Sequence, residues 1–208
     1  DVKVYAPTER EELNRAPFSE GDYKKGIGIA EVDGERGYTT VERTGIRPSL
    51  DVNGLWSGYT GEGSKTIIPA SARAKISMRL VPDQDYRKIG KLFEDYFVSL
   101  APASVRVKAR MLHGGAPYVC PVDLPAYRAA AEAVESTFGK RPLPFYSGGS
   151  IPIISAFERI LGVKSVLLGF GLDRDAIHSP NESYGVENFR IGIETIARFY
   201  GYFAREKR

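Results

Sequence analysis

Two segments of this sequence combine reactive residue types with glycines or prolines that shape the backbone. The first is Ser147-Gly148-Gly149-Ser150-Ile151-Pro152. Its glycines follow a short apolar stretch, Leu143–Tyr146, and Pro152 stands in the expected first turn of a helix. There the missing proline N–H costs nothing. Free backbone N–H groups at such a turn suit an anion such as a carboxylate. A tight turn with Ser150 as a plain N-cap explains the same residues. The second segment is Asp175-Ala176-Ile177-His178-Ser179-Pro180-Asn181-Glu182, just beyond an apolar run. Open α/β sheets place their sites in loops of this kind. His178 there reads as a metal ligand, a general base or an exposed surface group. One histidine does not make a zinc site, which needs at least three protein ligands.

Other segments are weaker. Gly58–Thr66 (GYTGEGSKT) resembles a phosphate loop, but Ser64 separates Gly63 from Lys65, and a Walker A loop needs Gly-Lys-Ser/Thr contiguous. It reads as a glycine-rich connection between strands that could also touch substrate. His113 reads as structural or solvent-facing. Cys120 reads as a small buried apolar residue. Asp83 and Asp85 flank the start of a helix and read as caps.

The elements that must position these residues fall into two groups. Ala74, Ile76, Met78 and Leu80 alternate with polar residues, as do Val105, Val107, Ala109 and Met111. Period two predicts a strand in each case. Between them Ile89, Leu92, Phe93, Tyr96, Phe97 and Leu100 have helical spacing. Ser49–Leu55 is an earlier strand. Thr8 with Glu11 predicts a short helix start, and Gly26–Gly45 reads mostly as loop. After Pro117, Pro121 and Pro125, the residues Tyr127, Ala131, Val134 and Phe138 form a stripe ended by Gly139. Leu143–Tyr146 reads as a short strand, Ser150–Gly162 as a helix, and Val163–Phe170 as a strand buried on both faces. Phe189, Ile193, Ile196, Tyr200 and Phe203 define a last helix. Helices alternating with buried strands predict a parallel or mixed layer. The expected class is α/β, an α+β sheet domain over residues 1–116 followed by part of an α/β domain over 117–208.

The composition excludes several functions. In 208 residues, 29 Lys and Arg against 26 Asp and Glu leave a net charge of +3, without the basic stripe of a nucleic-acid binder. No apolar run approaches the roughly 20 residues of a membrane span. One Cys and two His exclude an intrachain disulfide and a Cys-based zinc site. Residue 1 is Asp and no leader pattern follows, so the sequence reads as a processed product, a trimmed piece or a fragment.

Five blocks together resemble the M20 metallopeptidase family, in its carnosinase-like and cytosolic nonspecific dipeptidase branch. They are Arg47–Gly54 (RPSLDVNG), Gly61–Pro69 (GEGSKTIIP), Lys75–Pro82 (KISMRLVP), Gly148–Pro152 (GGSIP) and His178–Glu182 (HSPNE). They fall in the family's order and cover most of residues 45–200.

The resemblance implies a lid or dimerisation domain and the C-terminal part of a catalytic α/β domain. It implies two divalent metal ions, zinc with manganese as the alternative, that activate a water for attack on a peptide carbonyl. Of the residues here, His178 is the implied metal ligand, with Asn181 and Glu182 supporting it. Gly149, Ser150 and Arg79 are the implied binders of the substrate carboxylate, and Thr66 is an implied substrate contact. The lid pairs two subunits in this family, so a homodimer is implied. A peptide substrate and a cytoplasmic setting are implied too, with neither nucleic acid nor membrane as partner.

There are two departures. Ser147 stands where related dipeptidases often carry Glu. The family's His-x-Asp motif, bridging Asp and Glu-Glu pair, which includes the general base, are absent, and no His precedes Arg47. The expectation is a C-terminal half, inactive alone, whose other half is a required partner and whose α/β part exposes apolar surface. The alternatives are a non-catalytic dimerisation or peptide-binding module, and an N-acyl-amino-acid amidohydrolase of the same family.

Overall fold

The period-two run Arg73–Leu80 folds as a strand, shifted by one residue to Ala72–Arg79. In the computed structural model, which describes residues 2–148 and 151–206, Ser49–Ser57 forms β1 and Ala72–Arg79 forms β2. They pair antiparallel from Ser49↔Arg79 to Ser57↔Ala72. The register shifts between Val52 and Gly54, leaving Asn53 as an extra residue. Side chains alternate across a strand, so this bulge decides which way Leu55 points. With it, Leu50, Val52 and Leu55 share one face with Met78, Ile76 and Ala74. Leu50, Val52 and Leu55 are 53%, 59% and 75% exposed.

The chain divides into two compact units. One holds residues 1–118 and 145–155, the other residues 119–144 and 156–208. The first unit contains α1 (Pro7–Leu13), α2 (Glu20–Ile27) and α3 (Thr40–Gly45) before the hairpin. Helix α1 starts earlier than expected: Ala6, not Thr8, is the N-cap, and Glu9 accepts the Ala6 N–H at 2.7 Å. Pro7 supplies the first helical position. Helix α3 replaces part of the loop expected over Gly26–Gly45. It begins with a capping box, in which Thr39 Oγ1 accepts the Glu42 N–H and the Glu42 carboxylate accepts the Thr39 N–H.

Glu42 does more than cap. Its side chain is buried and takes Arg10 Nε at 2.5 Å and Nη2 at 2.9 Å. Arg10 also donates to the Gly37 carbonyl and lies over the Tyr38 ring. Arg47 covers the same ring and holds Glu35 with two bonds.

After the hairpin, Asp85 caps α4 (Tyr86–Ser99), accepting from the Arg87 and Lys88 N–H groups. The strand expected over Ser104–Met111 is not present. Its N–H at Met111 is taken by the Glu94 carboxylate of α4, and the one described sheet contains β1 and β2 alone. An alternating pattern becomes a strand only beside a ladder partner.

The second unit is built on α5 (Pro125–Phe138) and α7 (Val186–Glu206). Arg128 pairs with Glu206, Glu132 with Arg205, and Thr137 with Thr195. Partners run in opposite order along the two helices, so the helices are antiparallel. Their contact is made by small residues: Ala129, Ala130, Ala133 and Thr195 are buried, while Gly192 is buried against the Phe170 ring. The apolar stripe through Phe189, Ile193 and Tyr200 instead faces solvent. Helix α6 (Ile153–Leu161) starts after the expected Ser150, and its last turn is followed by Gly162 at φ +65°.

Leu143–Tyr146 and Val163–Phe170 form no ladder among the described residues. The Phe170 carbonyl accepts Asn188 Nδ2 of α7 instead of a strand N–H, and Val163 and Leu167 are about half exposed. The α/β class stands, with a small sheet in place of the parallel or mixed layer.

Arg10→Ala leaves the Glu42 carboxylate buried without its counter-charge. It should lower the unfolding free energy, read as a lower urea midpoint. The Arg10 guanidinium holds the Glu42 carboxyl at about 2, below its ordinary 4.5. A depressed carboxyl contributes stability above its unfolded pKa and loses it as pH falls. Stability should therefore drop between pH 4.5 and about 2, and Glu42→Gln should flatten that acid limb.

Candidate functional site

The first unit positions Arg79 and Thr66 on one hairpin. Arg79 is the last residue of β2 and pairs with Ser49. Thr66 is in the connection between Ser57 and Ala72, at the other end of the ladder. That connection is closed at its base: Ser57 Oγ donates to the Ser71 carbonyl, and Pro69 packs against Gly58. Higher up, the Tyr59 hydroxyl donates to the Glu62 carbonyl and Lys65 lies 5.6 Å from the Tyr59 ring. Thr66 and Arg79 are both exposed. Ala72, where that connection ends, and Arg79 are seven steps of about 3.3 Å apart along β2.

The Ser147–Pro152 segment is only partly described. Gly149 and Ser150 lie outside the described residues. Gly148 is placed, and its N–H donates to the Thr44 carbonyl of α3 at 2.8 Å. This link to α3 has no counterpart in the sequence patterns.

In the second unit, Asp173–Asp175 forms a single 3-10 turn before His178. Asp175 is buried, its carboxylate accepting the Leu172 N–H at 2.8 Å. Its carbonyl accepts the Ser183 N–H at 2.9 Å, which closes the loop. Between these points the Ser179 N–H donates to the Ala176 carbonyl and the Glu182 N–H to that of Ser179. Three non-glycine residues take left-handed backbone there: Ala176 at +52°, His178 at +62° and Asn181 at +64°. His178 is exposed at the head of this loop. Asn, Asp and His adopt such angles more readily than other L-residues, still at a cost.

Among the described residues no group of three or more His, Cys, Asp and Glu could hold a metal ion. A single imidazole such as that of His178 does not by itself fit a divalent metal centre. His113 is exposed. Cys120 is half-buried, its Sγ 3.6 Å from the Pro121 carbonyl. No helix is long and apolar enough to cross a membrane among the described residues.

Residues 11–201 match Peptidase family M20/M25/M40. This chain belongs to that family. Among its M20 relatives, the Cys-Gly metallodipeptidase DUG1 of Saccharomyces cerevisiae is 33% identical over 161 residues, 76% of this chain and 33% of that protein. The human Beta-Ala-His dipeptidase is 31% identical over 157 residues, 74% of this chain and 31% of that protein. The solved structure of the S. cerevisiae di-peptidase Dug1p superposes with a TM-score of 0.85 at 28% identity, covering 98% of this chain and 43% of that one. The chain thus spans about a third of the length of these two curated M20 relatives.

The His178 loop yields a stability test. Left-handed backbone costs an L-residue about 1–2 kcal/mol, partly offset by the larger unfolded-state entropy of glycine. Ala176→Gly should therefore raise stability by about 0.5 kcal/mol, seen as a higher thermal midpoint. A lower midpoint would mean that the Ala176 methyl makes a compensating contact.

Proposed function

We propose that these residues are the C-terminal part of a metal-dependent dipeptidase. Residues 1–116 supply most of its lid or dimerisation domain, and residues 117–208 the last part of its catalytic domain. The observation that carries this reading is the set of five family blocks in order, in a chain whose relatives are named metallodipeptidases. The substrate is a dipeptide or short peptide. Two divalent ions, zinc or manganese, supply the water activation when bound. The general base and the other metal ligands come from the N-terminal part of the same protein.

In this reading His178 donates one imidazole to the metal centre, and Asn181 and Glu182 support its loop. Gly149 and Ser150 take the substrate carboxylate, with Arg79 as a guanidinium clamp on such a group. Thr66 contacts substrate from the loop between β1 and β2. The placement of Thr66 and Arg79 at opposite ends of one ladder supports pairing of two chains, each hairpin end serving a different site. The setting is the cytoplasm.

Ser147 favours a second reading within the family. A neutral residue where related dipeptidases often carry Glu suits an acylated amine, hence an N-acyl amino acid.

The test uses the full-length protein with a panel of dipeptides and N-acetyl amino acids, before and after chelation of metal. Dipeptide hydrolysis that is lost on chelation and restored by zinc or manganese is expected. Turnover of the N-acetyl series alone would overturn the dipeptidase reading. His178→Ala should lower kcat/KM by about 10³-fold or more, on the scale of removing a metal ligand that orients the reacting water. Near-normal kcat in that variant would remove His178 from the metal centre. The 208 residues alone should hydrolyse no dipeptide.

A further inference from the structure

Asp33-Gly34 lies outside the residues given a role above and carries reactive chemistry of its own. It is the only Asp-Gly pair in the sequence, and both residues are exposed. The Gly34 N–H donates to the carboxylate of the residue before it, reaching Asp33 Oδ1 at 2.8 Å. One carbon–oxygen bond of about 1.2 Å then places Asp33 Cγ no more than about 4 Å from the Gly34 nitrogen. Reacting atoms in a near-attack arrangement lie about 3–3.5 Å apart, so a small rotation of the Asp33 side chain closes the gap. No side chain shields the nitrogen. Gly34 has φ +144°, a conformation that L-residues rarely adopt. A Cβ there would also lie 2.9 Å from Arg43 Cδ.

The chain is fixed just after this pair. The Glu35 carbonyl accepts Arg43 Nε at 3.0 Å, and the Glu35 carboxylate takes Arg47 at 2.6 and 2.7 Å. The Gly37 carbonyl accepts Arg10 Nη2 at 2.8 Å. These bonds hold the Gly34 nitrogen from its C-terminal side, while the exposed Asp33 side chain turns about its own bonds. Asn53-Gly54 is the sequence's one Asn-Gly pair and has related chemistry. Its Gly54 is paired with Lys75 in the β1–β2 ladder, so a neighbouring strand holds the extended backbone there.

We propose that Asp33-Gly34 is a site of spontaneous backbone isomerisation, a covalent modification that the folded loop sustains rather than suppresses. The lone pair of the Gly34 nitrogen forms a bond to Asp33 Cγ. The carboxyl hydroxyl leaves with the amide hydrogen as water, and a five-membered cyclic imide results. Water then adds at one of its two carbonyl carbons. Breaking the nitrogen bond to Cγ restores Asp33. Breaking the nitrogen bond to the main-chain carbonyl carbon leaves an isoaspartyl link, in which the chain runs through the Asp33 side chain. One water leaves and one enters, nothing is oxidised or reduced, and the mass is unchanged. The link adds one carbon to the main chain between Asp33 and Gly34. It does so beside the Glu35, Arg43 and Arg47 bonds that lead into β1.

The experiment incubates the full-length protein at physiological temperature and pH and digests samples with trypsin at intervals. Cleavage after Lys25 and Arg36 releases residues 26–36 as one peptide. A second form of that peptide should accumulate, equal in mass, separable by chromatography and methylated by a protein isoaspartyl methyltransferase. It should form in the native protein at least as fast as in a synthetic peptide of residues 26–36. Slower formation in the native protein would overturn the proposal, because the fold would then be protecting the pair. Asp33→Glu should abolish the second form, since its imide would need a six-membered ring, which closes far more slowly. A second form that persists in this variant arises at another residue and would also overturn the proposal. Reaction at Asn53 releases ammonia and changes the mass of a different tryptic peptide, so the two sites are read separately.

Discussion

The buried carboxylate of Glu42 is the constraint on which the first unit depends. A charge taken out of water is costly unless it is paired and fully hydrogen-bonded. Here the partners are Arg10 from α1 and the N–H of Thr39. Meeting the needs of one side chain joins α1 to α3 and fixes where α3 begins. Arg10 and Arg47 lie over the same Tyr38 ring, at 4.9 and 4.4 Å. The segment that enters β1 is tied to the same cluster, since Arg47 is bonded to Glu35 and Ile46 is buried beside it in sequence. Apolar burial in this unit is modest, so directional bonds carry a large share of the specification.

The second unit is specified differently. Buried alanines on α5 line its contact with α7, whereas Gly192 on α7 makes room for the Phe170 ring, 3.1 Å from where a Cβ would lie. Thr137 and Thr195 satisfy each other across the contact. The larger apolar residues of α7 stay outside it. Phe189, Ile193 and Tyr200 are each more than half exposed, a contiguous apolar face of the kind that normally marks an interaction surface.

Legibility follows the range of the signal. Helices α4, α5 and α7 are readable because their apolar spacing repeats over several turns. Strand β2 is readable by alternation, and Asp85 as a cap by its place before a helical stripe. Helices α2 and α3 escape a periodicity reading because they are short and polar and have no stripe to follow. The clue for α3 is local: Thr39 and Glu42 stand at capping-box spacing. Residues 104–111 carry the same alternation as β2, yet alternation describes one strand and says nothing about its neighbour. The prominence of His178 comes from loop position and family resemblance, whereas the left-handed backbone at Ala176, His178 and Asn181 occurs without a glycine to announce it. Gly45 gives no sign of its role, since the atoms it accommodates belong to a residue far along the chain, Tyr146.

The β1–β2 hairpin has a genetic meaning. Its ladder separates Arg79 from the Thr66 connection by about 23 Å of strand, while an extended dipeptide spans only about 7 Å. One small substrate does not bridge the two ends of the ribbon. In the paired enzyme proposed above, lesions at the two ends would therefore damage separate centres. Chains defective at opposite ends would fall into different complementation groups, and a mixed pair would keep one centre intact.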